Sequence, residues 1–490
     1  MRFVGRRWPR LRSVTPAVGV IVAMRLRFLF TPISSDEAGY LAIGRAWGRG
    51  AVLYRDVWVD RPQGAILLFR VLAAFGLGTP VGVRLLALAV CLAGAVACGD
   101  AAATLAGEHA RWTAALLVGV LTSVPQYEGF IADTELLSCA VGAVALAVVL
   151  RSTWHRDRPT LRGLALGGCV GGLALSIKQS GFDAFAAAGL AVLVVAARAG
   201  WSRRDRRAAL PALVGGWLVP IAAMMVHGAL TGWRRWWFAV AGYRAAKRSV
   251  LANADWHRFH HTYLVVAPVL LPTLAGVAVL IVVVGRRANL GIAALFVGWS
   301  IAAVVAFLLG GQFHRHYWVI LMFPLGTNAG VLAASMPRRA VRSSVVAAFL
   351  VAPAILTVQA VTIPRSEVGR KLDDDPRLIR DERVADWFRA HAGPGDRIYA
   401  LCASAGLYGN LSIDPPIPYL WFDSLRSLAE AQADLERLIS GSDAPRFVAE
   451  YQHPASCNPS GRVASALASD YRVTARVDGI PIYERISLNR

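Results

Sequence analysis

Two adjacent carboxylates, Asp36 and Glu37, lie in "PISSDEAGYLAIGRAWGRG", directly after the first apolar stretch of the chain. A carboxylate beside an acceptor hydroxyl can take its proton, and cations can neutralise an anionic leaving group as its bond breaks. Side chains suited to the second task follow: Arg61, Lys178, Arg244, Lys247, Arg248, His260, His261, His314, Arg315 and His316. A second pair of acids, Asp133 and Glu135, sits in "QYEGFIADTE". Each also has a structural reading. Asp36 and Glu37 suit a helix N-terminus, where the macrodipole favours acids. Asp133 or Glu135 can cap the helix that follows. Lys178 can snorkel from a span end, or pair with Asp183 a few residues inside the next apolar run. "GWRRWWFAVAGYRAAKRSVLANADWHRFHH" reads either as an aromatic belt with basic anchors or as a surface for a lipid phosphate. "HRFHH" and "HRH" resemble metal-ligand spacing, but no well-placed carboxylate or cysteine joins the first and the second is too short alone. No cofactor and no metal ligand is therefore assigned, and a divalent metal is left open.

These residues need elements to hold them, and composition decides which. Of 490 residues, 56% are hydrophobic and only 17% charged, with a mean hydropathy of +0.48, which is too apolar for a soluble domain of this length. Apolar runs separated by short Arg-rich loops read as a polytopic α-helical membrane protein. The net charge of +21 comes from arginines between the runs, so it points to topology signals and anionic headgroups rather than nucleic acid. The basic start "MRFVGRRWPRLR" lacks a small-residue cleavage site after its apolar run and reads as a cytoplasmic arm before an uncleaved helix. The cysteines show no zinc spacing.

Runs long enough to span lie near 14–31, 81–106, 111–127, 135–150, 162–179, 181–199, 208–226, 262–285, 289–310, 317–335 and 341–362. "QGAILLFRVLAAFGLG" (63–78) is short, carries Arg70 and ends in glycines. If it does not cross, the Arg-rich loops near 111, 151–162, 198–207, 285–289 and 336–342 all face the cytoplasm. The expectation is about eleven spans, with the N-terminus inside and the C-terminus outside. Segment 32–80 is then extracytoplasmic, and "DEAGYLAIGRAWGRG" reads as an amphipathic helix lying flat in the headgroup layer. The division expected is a transmembrane part, 1–362, and a C-terminal extracytoplasmic α/β domain, 363–490. In the latter "PRLIRDERVADWFRAHAGPGD" and "SLRSLAEAQADLERLIS" read as helices, and "RIYALCA", "RFVAEYQ", "YRVTARV" and "PIYERI" as strands. Cys402 and Cys457 there either pair as a disulfide or stay as two thiols.

The order of these segments resembles the GT-C glycosyltransferases. The resemblance rests on "DEAGYLAIGRAWGRGAVLYRDVWVDRPQG", "IADTELL", "GLALSIKQSGF", "GGQFHRHYWVILMFPL" and "ADWFRAHAGPGDRIYAL" in this succession. The chain is most similar to bacterial relatives of protein O-mannosyltransferases and lipid A aminoarabinose transferases. The resemblance implies that Asp36 is the catalytic base, with Glu37 beside it. It implies that Arg61, in "RPQ" where the family has Lys-Pro-Pro, contacts the donor phosphate; arginine keeps the charge but not the ammonium geometry. It places Asp133 at the second outer acidic position, with Glu135 near it. Lys178, His316 and Tyr317 match basic and aromatic positions of the family, and Arg244 and Lys247 join them as candidate phosphate contacts. The implied donor is a polyprenyl-phosphate sugar, the acceptor an extracytoplasmic protein, glycan or lipid, and the outcome inversion. The setting is the cell membrane, with no nucleic acid. The competing expectations are a transporter or flippase for a lipid-linked envelope precursor, and a non-catalytic member acting through its C-terminal domain.

Overall fold

The computed structural model describes residues 14–246, 255–284, 289–373, 375–402 and 404–486. The helices are α1 (Thr15–Leu26), α2 (Ser35–Gly48), α3 (Gln63–Ala74), α4 (Pro80–Ala106), α5 (Glu108–Leu121), α6 (Thr134–Thr153), α7 (Leu161–Ile177) and α8 (Asp183–Arg198). They continue as α9 (Arg203–Trp237), α10 (Tyr243–Ala246), α11 (Trp256–Val284), α12 (Leu290–Gly310), α13 (Val319–Ala334) and α14 (Arg339–Val361). All but α2, α3 and the short α10 lie on the apolar runs of the sequence. Seven helices among the described residues are long and apolar enough to cross a membrane, and the chain is a multi-pass membrane protein.

Packing divides the chain into two units. The helical unit comprises segments 1–29, 84–225 and 247–363. Here α5 packs on α13, α6 on α7 and α8, and α8 on α12. Lipid gives no hydrophobic drive for helices to associate, so close approach through small residues matters. Gly168 and Gly172 of α7 abut the backbone of α9, where a Cβ on Gly172 would fall 2.5 Å from the Trp217 carbonyl oxygen. Gly330 of α13 meets Ala114 of α5 the same way, and the Thr113 hydroxyl donates to the Gly330 carbonyl at 2.9 Å. Arg111 and Arg151, both in loops read as cytoplasmic, pair with the one carboxylate of Asp100.

The mixed unit comprises 30–83, 226–246 and 364–490. Its sheet has strands β1 (Ile398–Leu401), β2 (Phe447–Glu450), β3 (Tyr471–Val477) and β4 (Ile480–Arg485), in the order β1-β2-β4-β3. Only β1 and β2 run parallel. The β3–β4 turn is Asp478-Gly479, both with positive φ (49° and 84°), the backbone a two-residue hairpin needs. Helices α15 (Arg377–His391), α16 (Ala405–Leu411), α17 (Phe422–Ser427), α18 (Ala429–Ser440), α19 (Pro454–Cys457) and α20 (Arg462–Asp470) complete the segment. The single helix expected over "SLRSLAEAQADLERLIS" is broken at Leu428, whose backbone is extended (φ −102°, ψ 123°). Cys402 and Cys457 form a disulfide with Cα atoms 5.4 Å apart.

One expectation is corrected here. Helix α2 is not a half-open amphipathic helix: Glu37 to Gly44 are all buried. Its small residues admit neighbours on several sides. A Cβ on Gly44 would lie 2.8 Å from the Arg70 nitrogen of α3, and one on Gly409 of α16 would lie 2.5 Å from Ala38. The open apolar stripe belongs to α3 instead, where Leu67 and Val71, with Phe75 just past the helix end, are exposed at four-residue spacing.

Candidate active site

Candidate residues gather in two clusters, one in each unit. In the mixed unit α2 opens with a capping box: the Glu37 amide donates to Ser34 Oγ (3.2 Å), and the Ser34 amide donates to Glu37 Oε2 (2.9 Å). Glu37 is fully buried in that task. Asp36, one residue earlier and half-buried, points elsewhere. The Trp421 indole N–H donates to its Oδ1 at 2.9 Å, and the Tyr40 hydroxyl lies 3.5 Å from Oδ2.

The same segment of chain that carries Trp421 also holds the loop after α2. The Trp58 amide donates to the Pro418 carbonyl at 3.0 Å, and the Trp58 and Tyr419 rings lie 5.9 Å apart. Two residues on, Asp60 binds two of the candidate phosphate cations: Arg61 donates to Oδ1 at 2.9 Å and Arg244 to Oδ2 at 2.7 Å. Tyr243 positions Arg244 by packing edge-on against Trp58, with ring centres 4.9 Å apart. Two guanidinium groups on one carboxylate leave a net positive charge for an anion, and their planar forks match phosphate oxygens. Arg377, in α15, is raised above the usual arginine range, first by its bonds to Asp375 (2.8 Å) and less by the charges of Asp381 and Asp36.

In the helical unit the acids of the loop before α6 meet cations from two other places. Asp133 stands at the N-cap position of α6 but makes no capping bond. Its carboxylate lies 2.9 Å from His316 Nδ1 instead, and the same nitrogen is 2.6 Å from Glu128 Oε2. Glu135 accepts from Lys178, and its other oxygen takes the Thr134 hydroxyl at 3.0 Å. Lys178 does not pair with Asp183, which accepts the Trp299 indole N–H at 2.9 Å. The Lys178 ammonium also sits 4.3 Å above the Tyr317 ring. A Cβ on Gly310 would overlap that ring, so the glycine lets Tyr317 lie flat. His314 stacks on His316 with rings 5.4 Å apart. Burial first, then the neighbouring His316 and Arg258, hold the His314 imidazole well below its usual range, which suits it to accept from Arg258 at 3.4 Å.

Glu128, Asp133 and His316 each offer a ligand atom within 4.8 Å of one another, so this is where a divalent cation would fit among the described residues. Two carboxylates on one imidazole nitrogen repel each other unless a positive charge lies between them, whether an imidazolium or a metal ion. Lys247 and Arg248 lie outside the described residues. His260 and His261 are exposed on α11, and Arg315 is buried. Sequence reasoning did not single out Glu128, although it lies in the same short loop as Asp133. Nor did it single out Asp60, the immediate neighbour of Arg61. Trp421 and Arg377 carried no signal at all.

Comparison of the fold with solved structures gives the nearest account of this architecture. ArnT from Cupriavidus metallidurans, solved bound to undecaprenyl phosphate, is 16% identical, with a TM-score of 0.65 over 98% of this chain and 99% of that one. The chain has a GT-C fold. The archaeal oligosaccharyltransferase AglB of Archaeoglobus fulgidus, solved with an inhibitory peptide and a dolichol-phosphate, shares it at 12% identity and TM-score 0.55, over 98% of this chain and 74% of that one. The Archaeoglobus fulgidus oligosaccharyltransferase in complex with Zn and sulfate aligns with TM-score 0.51 at 12% identity, covering 97% of this chain and 74% of that one. No protein-family model matches the sequence, and no curated protein matches it. At these identities the GT-C likeness is one of fold, and the chemistry must be argued from the residues.

Proposed function

We propose that the protein is a membrane glycosyltransferase that moves a sugar from a polyprenyl-phosphate donor to an extracytoplasmic acceptor, a protein, glycan or lipid, with inversion. The observation that carries the reading is in the mixed unit. A half-buried carboxylate, Asp36, is held by neutral donors, while two arginines of the same unit converge on Asp60. Asp36 takes the proton of the acceptor hydroxyl, and that oxygen attacks the anomeric carbon. The bond from the anomeric carbon to the phosphate oxygen breaks, and the lipid phosphate leaves with the electron pair. Arg61 and Arg244 neutralise its growing charge. A single displacement of this kind inverts the configuration. Asp36 rather than Glu37 is the base, because Glu37 is engaged in the helix cap.

Lys178, His316 and Tyr317 remain candidate phosphate contacts, and Asp133 and Glu135 the second acidic site. A phosphate arriving there exchanges for a carboxylate already in place. Residues 1–362 form the catalytic membrane part, with about eleven crossings and the N-terminus cytoplasmic. Residues 363–490 form the extracytoplasmic domain. The Cys402–Cys457 disulfide supports an oxidising compartment for that domain.

The test is transfer from labelled polyprenyl-phosphate hexoses and pentoses by the full chain in proteoliposomes. Asp36→Asn is expected to lower transfer by roughly 10²–10⁴-fold while leaving donor binding intact. Full activity of that variant, or translocation of the lipid-linked sugar without a covalent product, overturns the reading.

A further inference from the structure

Trp421 is the residue that fixes Asp36, and it comes from the C-terminal segment, 385 positions away. Its position is over-determined. A Cβ on Gly39, one turn below Asp36 on α2, would fall 2.5 Å from the indole Cζ2 and 3.0 Å from the Ala405 Cβ. Tyr40 lies against the other side, ring centres 5.8 Å apart at 46°. The ring is thus seated against Gly39 and Tyr40 of α2, with its only polar atom aimed at Oδ1.

We propose that Trp421 is a positioning residue for the base, so that the C-terminal domain completes the catalytic machinery. This rests on Asp36 being that base. An indole N–H is a donor without charge. It ties one carboxylate oxygen in place and leaves the group its negative charge, where a lysine or arginine in the same position would neutralise it. With Oδ1 tied by the shorter bond, Oδ2, which meets the Tyr40 hydroxyl at 3.5 Å, is the oxygen more readily given up to the acceptor proton. A carboxylate free to rotate would spend most of its time misaligned, and misplacement by about 1 Å can cost on the order of a hundredfold in rate.

The test uses the full-length protein in nanodiscs with the polyprenyl-phosphate sugar that supports transfer. Trp421→Phe keeps a ring against Gly39 and removes the N–H. It is expected to lower kcat about 10- to 50-fold with the donor KM within about twofold, because the bond acts on the transition state rather than on donor binding. Trp421→His, which restores a ring N–H, is expected to recover part of kcat. If Trp421→Phe does not fold, benzothienylalanine at position 421, with sulfur in place of N–H, tests the bond in an unchanged shape. Wild-type kcat in either variant overturns the proposal, and so does a rise in kcat, which would make the indole a cap over the carboxylate. Asp36→Asn separates this from the reading beneath it: transfer by that variant removes the base, whereas loss there with no effect at 421 removes only the positioning role.

Discussion

The outer acids of the two clusters are satisfied in different ways, although Asp60 of the mixed unit is itself held by two arginines. In the helical unit Glu135 is held by the Lys178 ammonium and Asp133 and Glu128 by His316. In the mixed unit Asp36 accepts from an indole and a phenol. Charge met by charge in a buried place makes a rigid post, strongly opposed to losing either partner. Charge met by a neutral donor stays available to a proton. The difference favours Asp36 as the acid of the proposed reaction, something that sequence position beside a membrane does not reveal.

The largest effect sharpens this contrast. Asp36→Asn keeps the shape and a hydrogen-bonding amide but removes the proposed base. Transfer is expected to fall by roughly 10²–10⁴-fold, the usual weight of a general base, while the melting temperature barely moves. A large loss of stability with residual transfer would place Asp36 among the posts. Lys178→Met probes the other side. Removing one partner of a buried pair costs about 3–5 kcal/mol, so thermal unfolding in detergent should shift down by several degrees or more. Lys178→Met with Glu135→Leu should recover part of it, because the two partners go together, although the 3.7 Å contact of Glu135 with His316 Nε2 is lost as well. A single variant as stable as wild type would break the comparison.

The sequence made the helices legible and their partners illegible. Apolar length located the runs that became α1, α4 to α9 and α11 to α14, and "YRVTARV" and "PIYERI" read as the strands that became β3 and β4. The burial of α2 was not visible, because Tyr40, Ile43, Gly44 and Trp47 at helical spacing read as the one apolar face of an amphipathic helix, and only the fold brings α3 against Gly44 and α16 against Ala38. Nor were the ion pairs visible. Arg244 and Asp60 are 184 residues apart and His316 and Glu128 are 188, and only tertiary packing chooses among many equivalent charges. Lys178 showed this well: Asp183 is near in sequence, yet Glu135 is the acid that reaches it.

Asp381 extends the contrast to pH. It is buried in α15, where the Ser404 hydroxyl donates to it at 2.9 Å, and burial pushes its carboxyl up to about 7. The group is raised, so its contribution to stability is complete below its unfolded value near 4 and is lost as pH rises through about 7. The slope in that window is at most roughly 1.4 kcal/mol per pH unit. Thermal unfolding of the wild type should therefore fall between pH 5 and pH 8 by more than that of Asp381→Asn. Parallel curves for the two proteins would show that the carboxyl stays ionised throughout, as a post would.

The smallest effect concerns the arginines on Asp60. Arg244 is partly exposed and Arg61 nearly buried, with side-chain exposures of 26% and 9%. Removing Arg244 leaves Arg61 on Asp60, so the proposed role predicts that the fold survives and donor binding suffers. Arg244→Ala is expected to raise the donor KM about tenfold, equivalent to one charge-assisted hydrogen bond of about 1.4 kcal/mol, with kcat changed less. Arg61→Lys should sit between wild type and Arg61→Ala, since it keeps the charge but loses the second prong of the fork. If Arg244→Ala instead lowers the melting temperature as far as Lys178→Met does, the pair on Asp60 is a post like the one on Glu135, and the lipid phosphate must be sought elsewhere.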